Sequence, residues 1–195
     1  IKLRYRLLPY IYACFVDASE SGKPIQAPLV YYFQEDRIAQ TIDDQYMFGP
    51  NLMVAPVYQP GETSRKVYLP QGGWIDWHTK TCFASDGEWI DVDAPIDRIP
   101  IFVKEGAVIP MLREAPQNTH NLAPESIELH AFEGCYGDSD GWSYLCEDDG
   151  LTFRALEGKN LLTAFNLWTQ YKGNSYLKAF VTGDGFEEWV RKEYE

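Results

Sequence analysis

Acidic side chains are the most abundant groups that could do chemistry in this sequence, with 29 Asp and Glu among 195 residues. The densest runs are Asp43-Asp44 and Glu147-Asp148-Asp149-Gly150. A catalytic carboxyl pair must face across a cleft about 5–10 Å wide, which neighbouring residues rarely do. Asp-Gly is typical of hairpin turns, and Asp before a helix is typical of an N-cap. We therefore predict a turn and a helix cap here, and no catalytic pair.

Metal ligands are sparse. Asp138-Ser139-Asp140-Gly141 resembles the start of a calcium loop, but its glycine is fourth, whereas an EF-hand loop has glycine sixth and glutamate twelfth. His78 and Cys82 are four residues apart, yet no second pair completes a zinc site. The sequence also lacks G-x-G-x-x-G and P-loop motifs. We predict no catalytic, substrate-binding or metal-ligating residue, and no cofactor.

Three tryptophans, Trp74, Trp77 and Trp89, fall on predicted strands. Their rings could stack on sugars or pack in a β core and its interfaces. We favour packing, because buried aromatic rings dominate such cores.

The cysteines Cys14, Cys82, Cys135 and Cys146 form no CxxC pair. Cys135 and Cys146 flank a turn-rich segment, which allows a hairpin disulfide. Free thiols are the alternative interpretation.

The formal charge of −12 argues against nucleic acid and anionic membranes as partners, because both require a basic face. No apolar run approaches the ~20 residues that span a bilayer. We therefore predict no nucleic-acid and no membrane partner.

The amino-terminal residues predict an amphipathic helix with its apolar stripe at Leu3, Leu7, Ile11 and Phe15. Pro9 predicts a kink, and Gly22 predicts the end of the helix. Because the stripe is broad and the sequence starts within the helix without a Met, we expect a piece of a longer polypeptide whose missing part covers the stripe.

The rest of the sequence predicts a mainly β fold with two antiparallel sandwiches. Gln26–Phe33 is expected to be extended, and 36–45 to be a short helix or two helical turns, with Asp43 as an N-cap and Gly49 as the terminator. Leu52–Val57 is expected to be the first strand of the β region, and 110–124 a linker. The other predicted strands are a hairpin of Lys66–Pro70 with Trp74–Trp77, then Glu88–Val92, Ile99–Val103, Ala107–Ile109, Ser126–Phe132, Trp142–Cys146, Thr152–Ala155, Leu161–Tyr171 and Tyr176–Val181.

Several stretches in order resemble the C-terminal third of glycoside hydrolase family 31, the α-glucosidase and α-xylosidase family. The resemblance is specific over residues 1–110. It is carried by Arg4-Tyr5-Arg6-Leu7-Leu8-Pro9-Tyr10-Ile11-Tyr12, Gly22-Lys23-Pro24-Ile25, Pro28-Leu29, Asp44-Gln45-Tyr46-Met47-Phe48-Gly49, Leu52-Met53-Val54-Ala55-Pro56-Val57, Val67-Tyr68-Leu69-Pro70, Gly73-Trp74-Ile75-Asp76 and Ala94 to Pro110. From residue 111 on the resemblance is looser and is carried by Glu147-Asp148-Asp149-Gly150.

This resemblance implies an architecture. Residues 1–48 would be the C-terminal helix and connecting segment of a (β/α)8 catalytic barrel, 49–113 a proximal β-sandwich and 114–195 a distal one. The barrel itself would precede this chain in the same polypeptide.

The resemblance also implies retaining hydrolysis of α-glycosides, most often α-glucosides, by two aspartates located in the barrel. No position here matches the motifs of those aspartates, so the chain is expected to support the barrel without catalysing the reaction. The alternatives are an independent carbohydrate-binding sandwich, a module for oligomerisation, or the tail of a transglycosylase or lyase of the same family.

Overall fold

The computed structural model describes residues 1–118, 127–148, 160–170 and 173–182. This part of the chain is mainly β, with several antiparallel sheets and few helices. Among the described residues, none of the helices has the length and apolarity that crossing a membrane demands.

The amino-terminal helix is interrupted at Leu7, which separates α1 (Lys2–Arg6) from α2 (Leu8–Ser21). The kink predicted at Pro9 takes the form of this break. Pro9 occupies the first turn of α2, where its missing N–H removes no intrahelical hydrogen bond. The helix ends as predicted at Gly22, whose φ of 74° is left-handed.

The segment after α2 differs from its prediction. Only β1 (Gln26–Pro28) is extended, and the chain then turns into α3 (Leu29–Tyr32), which buries Leu29 completely. The predicted helix over 36–45 is reduced to the single 3-10 turn Ala39–Thr41.

The predicted cap of that segment was also wrong. Asp36 caps the turn through its Oδ1, which accepts hydrogen bonds from the N–H groups of Ile38 and Ala39 at 2.9 and 3.1 Å. Asp43 follows the turn, where it cannot act as an N-cap. Gly49 ends no helix: it lies in the turn between two strands, with φ of 64°.

Within the described residues, twelve further strands follow β1: β2 (Tyr46–Phe48), β3 (Leu52–Val54), β4 (Ser64–Leu69), β5 (Gly72–Asp76), β6 (Cys82–Ser85), β7 (Glu88–Asp93), β8 (Ile101–Lys104), β9 (Val108–Leu112), β10 (Ile127–Ala131), β11 (Ser139–Glu147), β12 (Leu161–Thr169) and β13 (Ser175–Thr182). They form a six-stranded sheet in the order β1-β2-β3-β8-β5-β6, the pairs β4-β7 and β9-β10, and a three-stranded sheet β11-β12-β13.

The strand β3 is the third strand of its sheet, so the prediction that Leu52 opens the β region was wrong. Pairing of β1 with β2, centred on Ala27 opposite Met47, brings two earlier segments into the same sheet. Strands this short carry little periodicity, and they are recognised by their partners rather than by their own sequence.

The predicted hairpin of β4 with β5 was wrong as well. The strand β4 pairs with β7, whereas β5 pairs with β6 and β8. Pro70 lies between β4 and β5 and has no N–H for a continuing ladder. The indole Nε1 of Trp74 donates to the Pro70 carbonyl at 2.8 Å, and the chain crosses from one sheet to the other.

The predicted linker begins too early, because β9 runs through Pro110 to Leu112 and is buried along its whole length. The predicted strands within β10, β11, β12 and β13 are confirmed. The turn at Asp149-Gly150, the strand Thr152–Ala155 and the terminus 183–195 lie outside the described residues.

Two apolar clusters lie on opposite faces of the six-stranded sheet. One contains Leu52, Val103 and Ile109, and it is covered by Leu7, which lies between α1 and α2, and by Ile11 of α2. The expectation that the helix stripe needs a partner outside this chain was therefore wrong for these two residues, because the chain's own sheet covers them. Only the far end of the stripe, Phe15, remains 57% exposed.

The other face of the sheet, including Met53 and Phe102, packs with Val67 and Leu69 of β4. A third cluster joins β9 and β10 to β11 and β12. Leu52, Phe102 and Val108 are buried, whereas Val54 is half-buried.

The cysteine prediction requires correction. Cys135 forms a disulfide with Cys82, 53 residues earlier, and Cys14 and Cys146 are free. Cys82 lies on β6, to which the loop holding Cys135 is folded back. Proximity in the sequence therefore indicated the wrong partner for Cys135.

Replacing Phe102 by Ala should lower the free energy of unfolding by about 3–5 kcal/mol, because a fully buried aromatic ring is lost and leaves a cavity. Urea denaturation of the chain measures this loss. The control Ile96→Ala, at a fully exposed side chain, should change stability by less than about 0.5 kcal/mol. A loss below about 1 kcal/mol for Phe102→Ala would contradict the assigned core.

Candidate interdomain surface

The acidic run at 43–44 has a structural role. The Asp44 carboxylate forms an ion pair of 2.7 Å with Arg65, whose side chain is only 5% exposed. The same guanidinium donates to the carbonyls of Asp44 and Pro56. A buried arginine needs such complete pairing, and here the pairing ties β4 to the segment that enters β2.

The rejected metal sites stay apart in the structure. The Nε2 atom of His78 lies 2.9 Å from the Ile99 carbonyl oxygen, and Cys82 is bonded to Cys135 in a disulfide. Asp140 accepts a hydrogen bond from the Asn166 amide. Across the described residues, no group of three or more His, Cys, Asp or Glu side chains could hold a metal ion.

The free thiols do not resemble activated nucleophiles. Burial raises the pKa of Cys14 to about 11 and that of Cys146 to about 12. Both therefore stay protonated at neutral pH, whereas a reactive cysteine needs a lowered pKa.

The three predicted tryptophans occupy different environments. Trp74 is buried, which confirms packing for this residue. Trp77 is half-buried and stacks on Phe132, with ring centroids 5.8 Å apart. Trp89 lies beside Tyr68 and is 47% exposed, so its outer face is accessible.

A hydrogen-bond network around Tyr10 joins α2 to the six-stranded sheet. The Tyr10 hydroxyl donates to the Phe48 carbonyl at 2.7 Å and accepts from the Asn51 N–H at 3.3 Å. Burial raises the pKa of Tyr10 well above its ordinary value, which keeps the donor proton in place. Gly49 is required beside it, since a Cβ there would lie 2.4 Å from the Tyr10 hydroxyl oxygen and 2.6 Å from the Cys14 sulfur.

The network continues into the three-stranded sheet. The Asn51 amide donates to the Ser143 hydroxyl on β11 at 3.0 Å, and the same oxygen accepts from the Val108 N–H at 2.9 Å. One buried serine thus links the turn before β3 to β9 and β11. Sequence reasoning missed Tyr10, Asn51 and Ser143, because each is a common polar residue whose partners are distant in the chain.

A second contact between the same parts of the chain forms at Glu105. Its carboxylate accepts hydrogen bonds from the N–H groups of Gly73, Cys135 and Tyr136 at 2.8–2.9 Å. At the next residue the backbones touch: a Cβ on Gly141 would lie 2.1 Å from the Gly106 carbonyl oxygen. The sequence shows that Glu105 and Gly106 are neighbours, but it does not show which distant residues they contact.

Apolar side chains remain exposed on the helices. Besides Phe15 on α2, Tyr31 on α3 is 40% exposed. Burial raises the pKa of Tyr32 on α3, and the neighbouring Tyr31, Cys14 and Asp17 add to the effect. We name Phe15 and Tyr31 the helical apolar surface. These side chains are available for contact with another part of a larger protein.

Comparison with known proteins places the chain in a family. Residues 22–109 match the glycosyl hydrolase family 31 C-terminal domain. An α-xylosidase of Saccharolobus solfataricus is 37% identical over 160 residues, which are 82% of this chain and 21% of that protein. The chain belongs to glycoside hydrolase family 31. Its matches lie with the C-terminal part of such enzymes.

Solved structures of family 31 members share the fold. The α-xylosidase of Xanthomonas citri matches with a TM-score of 0.84 and 31% identity, over 97% of this chain and 20% of that one. The Flavobacterium johnsoniae dextranase, complexed with glucose, matches with a TM-score of 0.82 and 29% identity, over 90% of this chain and 21% of that one. This family 31 chain therefore spans about a fifth of the length of the relatives that it matches.

Replacing Gly49 by Ala should destabilise the chain by about 2 kcal/mol more than replacing Gly61 by Ala. Both glycines have positive φ, but a Cβ at Gly61 meets nothing within 4 Å, so the comparison isolates the clash with Tyr10 and Cys14. Urea denaturation of the two variants measures the difference. Equal losses would show that the network around Tyr10 tolerates displacement.

Proposed function

We propose that this chain is the C-terminal, non-catalytic region of a retaining α-glycosidase of family 31 and that it stabilises the catalytic barrel preceding it in the same polypeptide. The observation that carries the proposal is the match of 97% of this chain to 20% of a solved α-xylosidase, together with the match of residues 22–109 to the family's C-terminal domain. The catalytic aspartates would then belong to the barrel, and an α-glycoside, with an α-glucoside as the first candidate, would be the substrate of the parent enzyme.

The proposed division of the chain keeps residues 1–48 as the last helix and connecting segment of the barrel, 49–113 as the proximal sandwich and 114–195 as the distal sandwich. Segment 1–48 contributes β1 and β2 to the same sheet as β3. A barrel attached to this segment would be held to the sheet through backbone hydrogen bonds. Such an attachment supports a stabilising role.

The helical apolar surface supports the same role. The buried side of α2 packs on the chain's own sheet, while Phe15 is 57% exposed. An exposed phenylalanine is a typical anchor for a neighbouring domain, because burying its ring contributes about 1.5–3 kcal/mol. In the parent enzyme this ring would pack against the barrel.

Catalytic dependence on the barrel can be measured directly. The purified chain 1–195 should not hydrolyse an aryl α-glucoside, whereas the parent enzyme should. Circular dichroism verifies that the chain is folded in the assay. Turnover by the pure chain would refute the proposal.

The stabilising role predicts a difference between the chain and its parent. Phe15→Ser should change the stability of the chain by less than about 0.5 kcal/mol, because the ring is already mostly exposed. In the parent enzyme the same change should cost about 1–2 kcal/mol and lower the midpoint of thermal inactivation. Glu20→Ser is the matched control, because Glu20 lies about 140° around the same helix from Phe15. Equal effects of Phe15→Ser in chain and parent would contradict a contact with the barrel.

A further inference from the structure

The outward face of the three-stranded sheet carries an unusual set of side chains. Strand pairing places nine outward positions in three rows, which we name the aromatic face: Asp140, Trp168 and Tyr176 in the first row, Trp142, Asn166 and Lys178 in the second, and Tyr144, Ala164 and Phe180 in the third. Five of the nine are aromatic. The opposite side of the sheet carries the buried Leu145, Phe165 and Leu167, so the aromatic residues are not its core.

The rings on this face are ordered and accessible. Trp168 stacks on Tyr176 with centroids 5.5 Å apart, and Trp142 stacks on Phe180 with centroids 5.8 Å apart. Trp142 is 46% exposed and Phe180 is 48% exposed. Cross-strand stacking fixes the rings in place, so a ligand that binds their outer faces need not immobilise them.

Polar groups lie between the two stacked pairs. The Asn166 amide donates to the Asp140 carboxylate and to the Gly141 carbonyl, which orients the amide in the centre of the face. Lys178 is opposite Asn166 on β13. The face therefore offers flat apolar surfaces next to hydrogen-bond donors and acceptors of both charges.

We propose that the aromatic face binds a neutral α-linked glucan oligosaccharide. A sugar ring has an apolar face that stacks on aromatic rings and a rim of hydroxyls that pairs with carboxylate, amide and ammonium groups. A polyanion is disfavoured by the chain's net charge of −12, which also opposes a second copy of the chain. The choice of an α-linked glucan rests on the proposed function, whereas the face itself does not.

The spacing of the aromatic rings favours a long oligosaccharide over a single sugar. Tyr176 and Phe180, one from each stacked pair, are four residues apart on one strand, so their backbones lie about 13 Å apart. A single sugar ring cannot contact both of these side chains, whereas an oligosaccharide can. Binding should therefore be weak for glucose and much stronger for maltoheptaose.

The test uses isothermal titration of the chain 1–195 with maltoheptaose. Trp142→Ala should raise the dissociation constant at least about tenfold. Trp89→Ala is the matched control, because Trp89 is 47% exposed on the separate β4-β7 sheet. It should leave binding unchanged.

A measurement on the unmodified chain covers the case in which Trp142→Ala fails to fold. Maltoheptaose should shift the NMR signals of the Trp142 and Trp168 indole N–H groups and leave those of Trp74 and Trp89 in place. No binding of maltoheptaose, equal binding by Trp142→Ala, or dimerisation of the chain through this face would overturn the proposal. These outcomes leave the proposed function intact, because that function is tested by the activity of the parent enzyme.

Discussion

The packing of α2 on the six-stranded sheet depends on the Tyr10 hydroxyl. This group satisfies the carbonyl of Phe48 and the N–H of Asn51, which flank the turn between β2 and β3. A buried turn would otherwise leave these backbone groups unpaired, at a cost of about 1–3 kcal/mol each. The close approach requires a residue without a Cβ at Gly49. Helix and turn therefore determine each other's position.

The sequence predicted the kinds of elements better than their partners. The helix, its proline break and its glycine end follow from local rules, and the structure confirms them. Most strands from β7 onward were also found, since alternating or continuous apolar runs identify them. The pairing of β4 with β7, and of Cys82 with Cys135, depends on contacts between residues far apart in the chain. Local patterns carry no information about such contacts, so sequence proximity indicated the wrong partners.

The candidate surfaces were the features of the structure that the sequence predicted least well. The expectation about the apolar stripe failed for Leu7 and Ile11, because periodicity shows that a face is buried but not what buries it. The aromatic face was hidden for a related reason. Trp142, Trp168 and Phe180 belong to three strands, and they become neighbours only once the register of those strands is known.

The contacts at Glu105 join the six-stranded sheet to the segment that precedes β11. Three backbone N–H groups converge on one carboxylate, and hydrogen bonds to a charged acceptor are stronger than neutral ones. The Cys82–Cys135 disulfide lies beside this carboxylate's partners and closes a loop of 53 residues, which restricts the unfolded chain. Gly106 and Gly141 bring the backbones into direct contact, and Ser143 adds hydrogen bonds to Asn51 and Val108. These contacts join the strand pair β9-β10 and the three-stranded sheet to the larger sheet, on which α2 packs. If the aromatic face binds a glycan as we propose, the glycan would lie on a sheet that several independent contacts connect to α2.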